Sequence, residues 1–208
     1  QGLARELLTY TNEYLQQKGC SFTLVVPAKE GLQDYYARLG YEQGFMLGEA
    51  VLTEKMMVSR PADSSPGGRL TEIEPAEYNY LRNNLLQRRL YIVYSEEDIA
   101  YQQGLSRLSG LGLYAMEYAG GRVCAALEEI SPEKVMAKEL LGPKELLAAA
   151  ARQIIRLTGA QQLLVRTPVF LFPDWYGAKR AFAMVRQLKP FVEIATLRDC
   201  GYLGLAFD

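Results

Sequence analysis

The run Gly19-Cys20-Ser21-Phe22-Thr23-Leu24-Val25-Val26-Pro27 decides how the first quarter of the chain is read. Its short β-branched and aromatic core, closed by a proline, predicts a buried strand. Gly19, just ahead of it, is placed to end a helix. Toward the N-terminus, Leu3, Leu7, Leu8, Tyr14 and Leu15 recur at helical spacing and predict that helix. Toward the C-terminus, residues 31–39 predict a second helix closed by Gly40. Apolar patches from Phe45 to Met57 then predict one further strand. Residues 1–58 therefore read helix, strand, helix, strand.

The stretch Ser59-Arg60-Pro61-Ala62-Asp63-Ser64-Ser65-Pro66-Gly67-Gly68 is rich in Pro, Gly and Ser and has no apolar period. It predicts a linker over residues 59–69 and a second unit over 70–208. In that unit, helices are predicted over 75–89 and 95–108, with Ser95 as N-cap and three acids near the positive helix end. Strands are predicted over 90–94, 111–118, 122–130 and 134–141, with Gly120-Gly121 as a hairpin turn. The alanine-rich helix 143–157 follows, then strands over 161–169, 180–185 and 202–207. This order predicts an α/β fold, a mixed α+β sheet layered with helices, and excludes a helical bundle. The aromatic group Phe170, Phe172, Trp175 and Tyr176 fits either a pocket or a core edge, and the Asp208 carboxylates fit either a cleft or a frayed end.

Composition narrows the chemistry. The 208 residues contain no histidine, which excludes Ser-His-Asp and Cys-His catalysis and nearly every catalytic zinc site. No metal site is expected. With 23 basic residues against 24 acidic, no broad nucleic-acid surface is expected either. Cys20, Cys124 and Cys200 are odd in number and far apart, which predicts reduced thiols and a cytoplasmic protein. No apolar run has the roughly 18 residues of a membrane span, so no membrane partner is expected. Gln1 opens the chain already inside a helical pattern, which predicts further residues upstream.

Two features taken together carry more information. Gln1-Gly2-Leu3-Ala4 leads straight into a helix, and Tyr36-Ala37-Arg38-Leu39-Gly40-Tyr41 closes the next one. With a strand between them, they resemble the GNAT superfamily of acyl-CoA-dependent N-acyltransferases. Its pyrophosphate loop ends in G-x-A, and its later helix ends in Y-x-K/R-x-G-F. The resemblance covers residues 1–58 and implies the C-terminal half of one such domain. It implies acetyl-CoA as co-substrate, held by the amides of Gly2, Leu3 and Ala4 with Gln1 and Arg5 alongside. It implies Tyr36 as the general acid that protonates the departing thiolate, with Arg38 and Lys29 close to the cofactor. Lys29 stands where the family often has Asn. The strands that would carry the acceptor pocket and a general base are expected upstream.

Residues 70–208 resemble the same superfamily more faintly. Leu141-Gly142-Pro143-Lys144-Glu145 departs from the loop pattern, and Pro143 lacks the amide a pyrophosphate would need. The resemblance implies a degenerate, non-catalytic second module that shapes the acceptor pocket; a generic α+β domain is the other reading. The function implied is acetyl transfer to a primary amine by direct attack. The alternative is a non-catalytic acyl-CoA-binding or interaction fragment. Because Phe22–Val26 has too little cover within residues 1–58, its strand is expected to pair with the second unit, a homodimer being the alternative.

Overall fold

Helix α1 (Leu3–Gln17) ends just before Gly19, whose φ of 84° is a conformation that side-chain-bearing residues avoid. The computed structural model describes residues 2–58, 68–172, 177–190 and 193–205. After α1 come β1 (Phe22–Val25), a 3-10 turn (Glu30–Leu32), α2 (Gln33–Ala37), β2 (Glu42–Thr53) and α3 (Glu54–Val58). The second stretch contains β3 (Leu70–Glu72), α4 (Pro75–Leu85), β4 (Leu90–Tyr91), α5 (Glu96–Leu108), β5 (Leu113–Tyr118), β6 (Gly121–Ser131) and β7 (Lys134–Leu141). A 3-10 turn (Lys144–Leu146) then enters α6 (Leu147–Thr158), followed by β8 (Gln162–Pro168), β9 (Gly177–Gln187), α7 (Ile194–Cys200) and β10 (Gly201–Tyr202). The predicted linker lies mostly outside the described residues, as do Gln1, Trp175, Tyr176 and Asp208.

Eight strands form one sheet in the order β1-β9-β2-β8-β7-β6-β5-β3, so the strands flanking residues 59–67 share a single layer. The expected pairing of Phe22–Val25 with the second unit is present: Phe22 lies opposite Gln187 and Val25 opposite Met184, antiparallel. The chain repeats a pattern of helix, strand and long strand, first as α1–β1–β2 and then as α6–β8–β9. The long strands have changed places. β1 pairs with β9, β8 pairs with β2, and β2 and β9 pair with each other. Neither repeat keeps its own long strand beside its short one.

The sheet separates two apolar clusters. One face holds Phe45, Leu47, Leu113, Phe182, Tyr202 and Leu205, roofed by α4, α5 and α7. The other packs Leu52, Leu127, Val135, Leu163 and Val165 against Leu147, Ala151, Ile154 and Ile155 of α6. At about 25 cal/mol per Å² of apolar surface, burying one such leucine contributes about 2 kcal/mol. By contrast Leu3, Leu7, Tyr10 and Tyr14 of α1, spaced along one stripe, are 47–79% exposed. The helical period was legible there, but no described residue covers that face.

Several elements differ from the prediction, the strand over 202–207 among them: β10 ends at Tyr202 and residues 203–205 are not strand. Residues 90–94 form only the two-residue β4, parallel to β10, because the segment beyond it turns inward to build a polar cluster. Residues 54–58, read as part of a strand, form the short helix α3. Helix α7 was not foreseen; its apolar signal rests on Ile194 and Leu197 alone. Ser95 caps α5 as expected: its hydroxyl accepts from the Asp98 amide at 3.1 Å, and Asp98 accepts from the Ser95 amide at 2.9 Å. Hydrogen bonds from Ser95 hold the Asp98 carboxyl below its ordinary pKa. The capping contribution is therefore present above the unfolded pKa and lost as acid protonates the folded carboxylate. Ser95→Ala is expected to lower stability by about 1 kcal/mol in urea unfolding at neutral pH, with a smaller loss in acid; equal losses at both would contradict this account.

Candidate functional site

Gly2 introduces α1 with φ 120°, where an L side chain is strained, and a Cβ built there meets nothing closer than Glu6 Oε1 at 3.9 Å. The Glu6 amide donates to the Gly2 carbonyl at 3.1 Å and closes the first turn. The amides of Leu3, Ala4 and Arg5 precede that bond and have no helical acceptor. No side chain caps this end. Gly2, Arg5, Glu6 and Tyr10 line a shallow groove of about 530 Å³ beside it. Open amides, the positive end of a fifteen-residue helix and a neighbouring arginine are the elements of an anion cradle, although Glu6 opposes them.

A polar triad joins this helix to the sheet. Thr23 Oγ1 donates to Asn12 Oδ1 at 2.8 Å, and the Tyr41 hydroxyl donates to the same oxygen at 3.1 Å. Asn12, only 4% exposed, thereby ties α1 to β1 and to the start of β2. Tyr36 belongs to the same corner. Its ring stands edge-on to Tyr35 and Tyr41, with centroids 5.3 and 5.9 Å away, and its carbonyl accepts from the amides of Leu39 and Tyr41. Gly40, at φ 82°, turns the chain there, and Arg186 of β9 donates to the Leu39 carbonyl at 2.9 Å. Arg38 ends α2 on the exposed surface.

A cleft of about 1140 Å³ opens where β1 gives way to Pro27-Ala28-Lys29. Leu24, Val26, Phe182 and Leu205 form its apolar lining. Lys29, Arg166 and Arg180 bring charge, and Tyr94 brings a hydroxyl. Tyr36 is not among its lining residues, whereas Gln33 of the same helix is. The structure thus separates the expected residues: Gly2 and Arg5 border the groove at α1, Lys29 borders the cleft, and Tyr36 packs between tyrosines.

Sequence reasoning passed over the charged row on the sheet. Arg166 of β8, Glu49 of β2 and Arg180 of β9 lie on three adjacent strands, and both arginines donate Nε to Glu49 Oε2, at 3.1 and 3.0 Å. Phe182 lies beneath both guanidiniums, its centroid 5.7 and 5.5 Å from them. The signal was present in the sequence: charges inside strand runs that are otherwise mostly apolar. A second polar group is fully buried beside the cleft. Arg82 Nε donates to Glu139 at 3.1 Å, and the Tyr78 hydroxyl donates to Glu139 Oε2 at 2.8 Å. Burial first, and then the charge of Glu139, push the Tyr78 pKa well above its ordinary value, so it stays a neutral donor. The other Arg82 nitrogens donate to the carbonyls of Ile92 and Leu203, both cleft-lining residues.

The equivalent end of α6 offers no comparable cradle. The 3-10 turn over Lys144–Leu146 occupies its approach, and Leu146 and Leu147 are buried there. Where β7 and β8 part, Thr167 Oγ1 donates to the Leu140 carbonyl at 2.9 Å and bridges the gap. Among the described residues no group of side chains is arranged to hold a metal ion, and no helix is long and apolar enough to cross a membrane.

No family model and no curated protein matches the chain. Solved structures do. A GCN5-related N-acetyltransferase from Anabaena variabilis superposes with a TM-score of 0.63 at 16% identity, over 90% of this chain and 51% of its own. A GCN5-related N-acetyltransferase from Kribbella flavida gives 0.59 at 17%, over 90% and 48%. A probable N-acyltransferase from Enterococcus faecalis gives 0.62 at 14%, over 86% and 48%. The chain has the fold of these proteins. It spans about half their length.

Proposed function

We propose that this chain is part of an N-acetyltransferase that moves an acetyl group from acetyl-CoA to a primary amine by direct attack. Residues 1–58 act as the cofactor-binding half of one module, and residues 70–208 as a second, non-catalytic one. The observation that carries this reading is the start of α1, where Gly2 leaves open space before three amides that have no acceptor within the helix. The same helix–strand–helix order ends in the Tyr36–Tyr41 turn, and the fold is that of N-acetyltransferases.

The residues present fit the pyrophosphate of acetyl-CoA, which supplies a thioester-activated acetyl group when bound. The amides of Leu3, Ala4 and Arg5 would hold the phosphate oxygens, Gly2 would permit their close approach, and the Arg5 side chain would add charge. Tyr36 would donate its hydroxyl proton to the leaving sulfur. Lys29, on the cleft wall, and Arg38, on the exposed end of α2, would meet the outer phosphates.

Gly2→Val puts a β-branched side chain at φ 120° and fills the approach to the amides. Calorimetric titration with CoA is expected to show at least tenfold weaker binding than wild type, about 1.4 kcal/mol. Equal affinity in a folded variant would place the cofactor elsewhere. One observation favours a second reading, a module that binds acyl-CoA without turning it over: Tyr36 is absent from the cleft lining. Turnover of Tyr36→Phe separates the two.

A further inference from the structure

We infer that Arg186, which belongs to the second unit, is a positioning residue for Tyr36 of the first, delivered there by the exchanged strand β9. The inference rests on the acyl-transfer reading, in which Tyr36 is the acid. Arg186 lies directly opposite Thr23 in the antiparallel pair of β9 with β1. Directly opposed residues share one face of a sheet. From that face both reach the turn that follows Tyr36. Arg186 Nη1 donates to the Leu39 carbonyl at 2.9 Å. Thr23 Oγ1 lies 3.2 Å from the Tyr41 hydroxyl, and both hydroxyls donate to Asn12 Oδ1 of α1.

The turn needs such anchors. Its own bonds are internal: the Tyr36 carbonyl accepts from the amides of Leu39 and Tyr41, and the Gly40 amide donates to the Ala37 carbonyl. They fix the shape of the turn and leave its placement on the protein to outside contacts. Helix α2, which carries Tyr36, has five residues, all of them half-buried or exposed, so little packing of its own places it. Tyr41 ties the far end of the turn to α1 and β1, and Arg186 ties the middle to β9. The Arg186 side chain runs alongside Gly40, where a Cβ would stand 3.8 Å from its Nε and 3.9 Å from its Cδ. A guanidinium gives a charge-assisted bond of fixed direction, here partly buried. The Tyr36 ring packs edge-on against Tyr41 at 5.9 Å, so a displaced turn carries the ring with it. A proton donor must stand within hydrogen-bond reach of the leaving sulfur, and a misplacement of about 1 Å can cost roughly 10²-fold in rate. The second unit thereby serves the chemistry of the first through a residue that touches neither cofactor nor acceptor.

The test uses the full 208-residue chain with ¹³C-labelled tyrosine rings, read by NMR. The Tyr36 signal is assigned by its loss in Tyr36→Phe, and the signal of Tyr78, buried under α4, is assigned in the same way and reports on the core. Arg186→Met is expected to shift or broaden the Tyr36 signal and leave that of Tyr78 unchanged. Arg186→Lys, which keeps a charged donor, should bring the Tyr36 signal back toward its wild-type position. Circular dichroism checks folding, and Arg186→Gln, polar at its tip, takes the place of Arg186→Met if that variant unfolds. CoA affinity by calorimetry should stay within twofold of wild type, while turnover of acetyl-CoA with a primary amine falls about tenfold. In a Tyr36→Phe background the same substitution should change turnover less than twofold, because the hydroxyl it places is already gone. An unmoved Tyr36 signal in a folded Arg186 variant overturns the inference. So does a joint shift of Tyr36 and Tyr78, which would make Arg186 a general support of the fold, or a shifted Tyr36 with wild-type turnover. Equal turnover of wild type and Tyr36→Phe, with the Tyr36 signal still moved by Arg186→Met, would uphold the placement and remove the acyl-transfer reading instead.

Discussion

Arg82→Met is expected to lower the stability of the protein by about 3–5 kcal/mol, read as a shift of the urea midpoint. The reason is the charge it leaves behind. Glu139 is fully buried, and without the guanidinium its carboxylate keeps only the Tyr78 hydroxyl among the donors described above. Arg82 is also enclosed by rings, its guanidinium carbon 4.9 Å from the Tyr94 centroid, 5.7 Å from Tyr91 and 5.8 Å from Tyr202. The variant therefore loses cation–π contacts as well. Arg82→Met combined with Glu139→Gln removes both charges, and its cost should fall well short of the sum of the two single losses. A single Arg82→Met variant within 1 kcal/mol of wild type would show that the pair is not holding the fold. The consequence reaches the cleft, because Arg82 fastens the backbone at Ile92 and Leu203 on two separate segments of its wall.

Tyr36→Phe carries the other large effect. Turnover is expected to fall by roughly 10²–10⁴ with CoA affinity nearly unchanged, as befits loss of a proton donor used only in the transition state. Phenylalanine keeps the edge-on contacts with Tyr35 and Tyr41, and the backbone bonds at the Tyr36 carbonyl do not involve the side chain. The substitution therefore isolates the hydroxyl. Turnover equal to wild type across the accessible pH range would make Tyr36 a packing residue and assign the acid elsewhere.

The elements legible in the sequence were those governed by local rules. Ser95 with Asp98, Gly19 after α1 and Gly159 after α6 all act within a few residues, and each marks a helix end that the structure contains. Sheet order was of another kind. The apolar run of β2 announces a strand, yet nothing in it specifies that Glu49 stands opposite Arg166 on one side and diagonal to Arg180 on the other. Those partners lie far along the chain, so the candidate site could not be assembled from spacing. The same holds for Arg82, which reads as an ordinary helix charge until tertiary packing brings Glu139 beneath it. The Gly2 and Tyr36 motifs were visible because each is a turn, and their separation from the cleft was not, since it depends on where β9 inserts.

The exchange of β2 and β9 also sets an order of events in time. Residues 1–58 leave the ribosome early, but Phe22 finds its partner only when Gln187 has been made. At roughly 5–20 residues per second, that wait lasts several seconds or more. Until then β1 lacks its partner β9, and an unpaired apolar strand is a place where nascent chains stick to one another. Yield at physiological temperature should therefore be limited by chaperone capacity during synthesis, and slower growth in the cold should raise it without any change to the sequence.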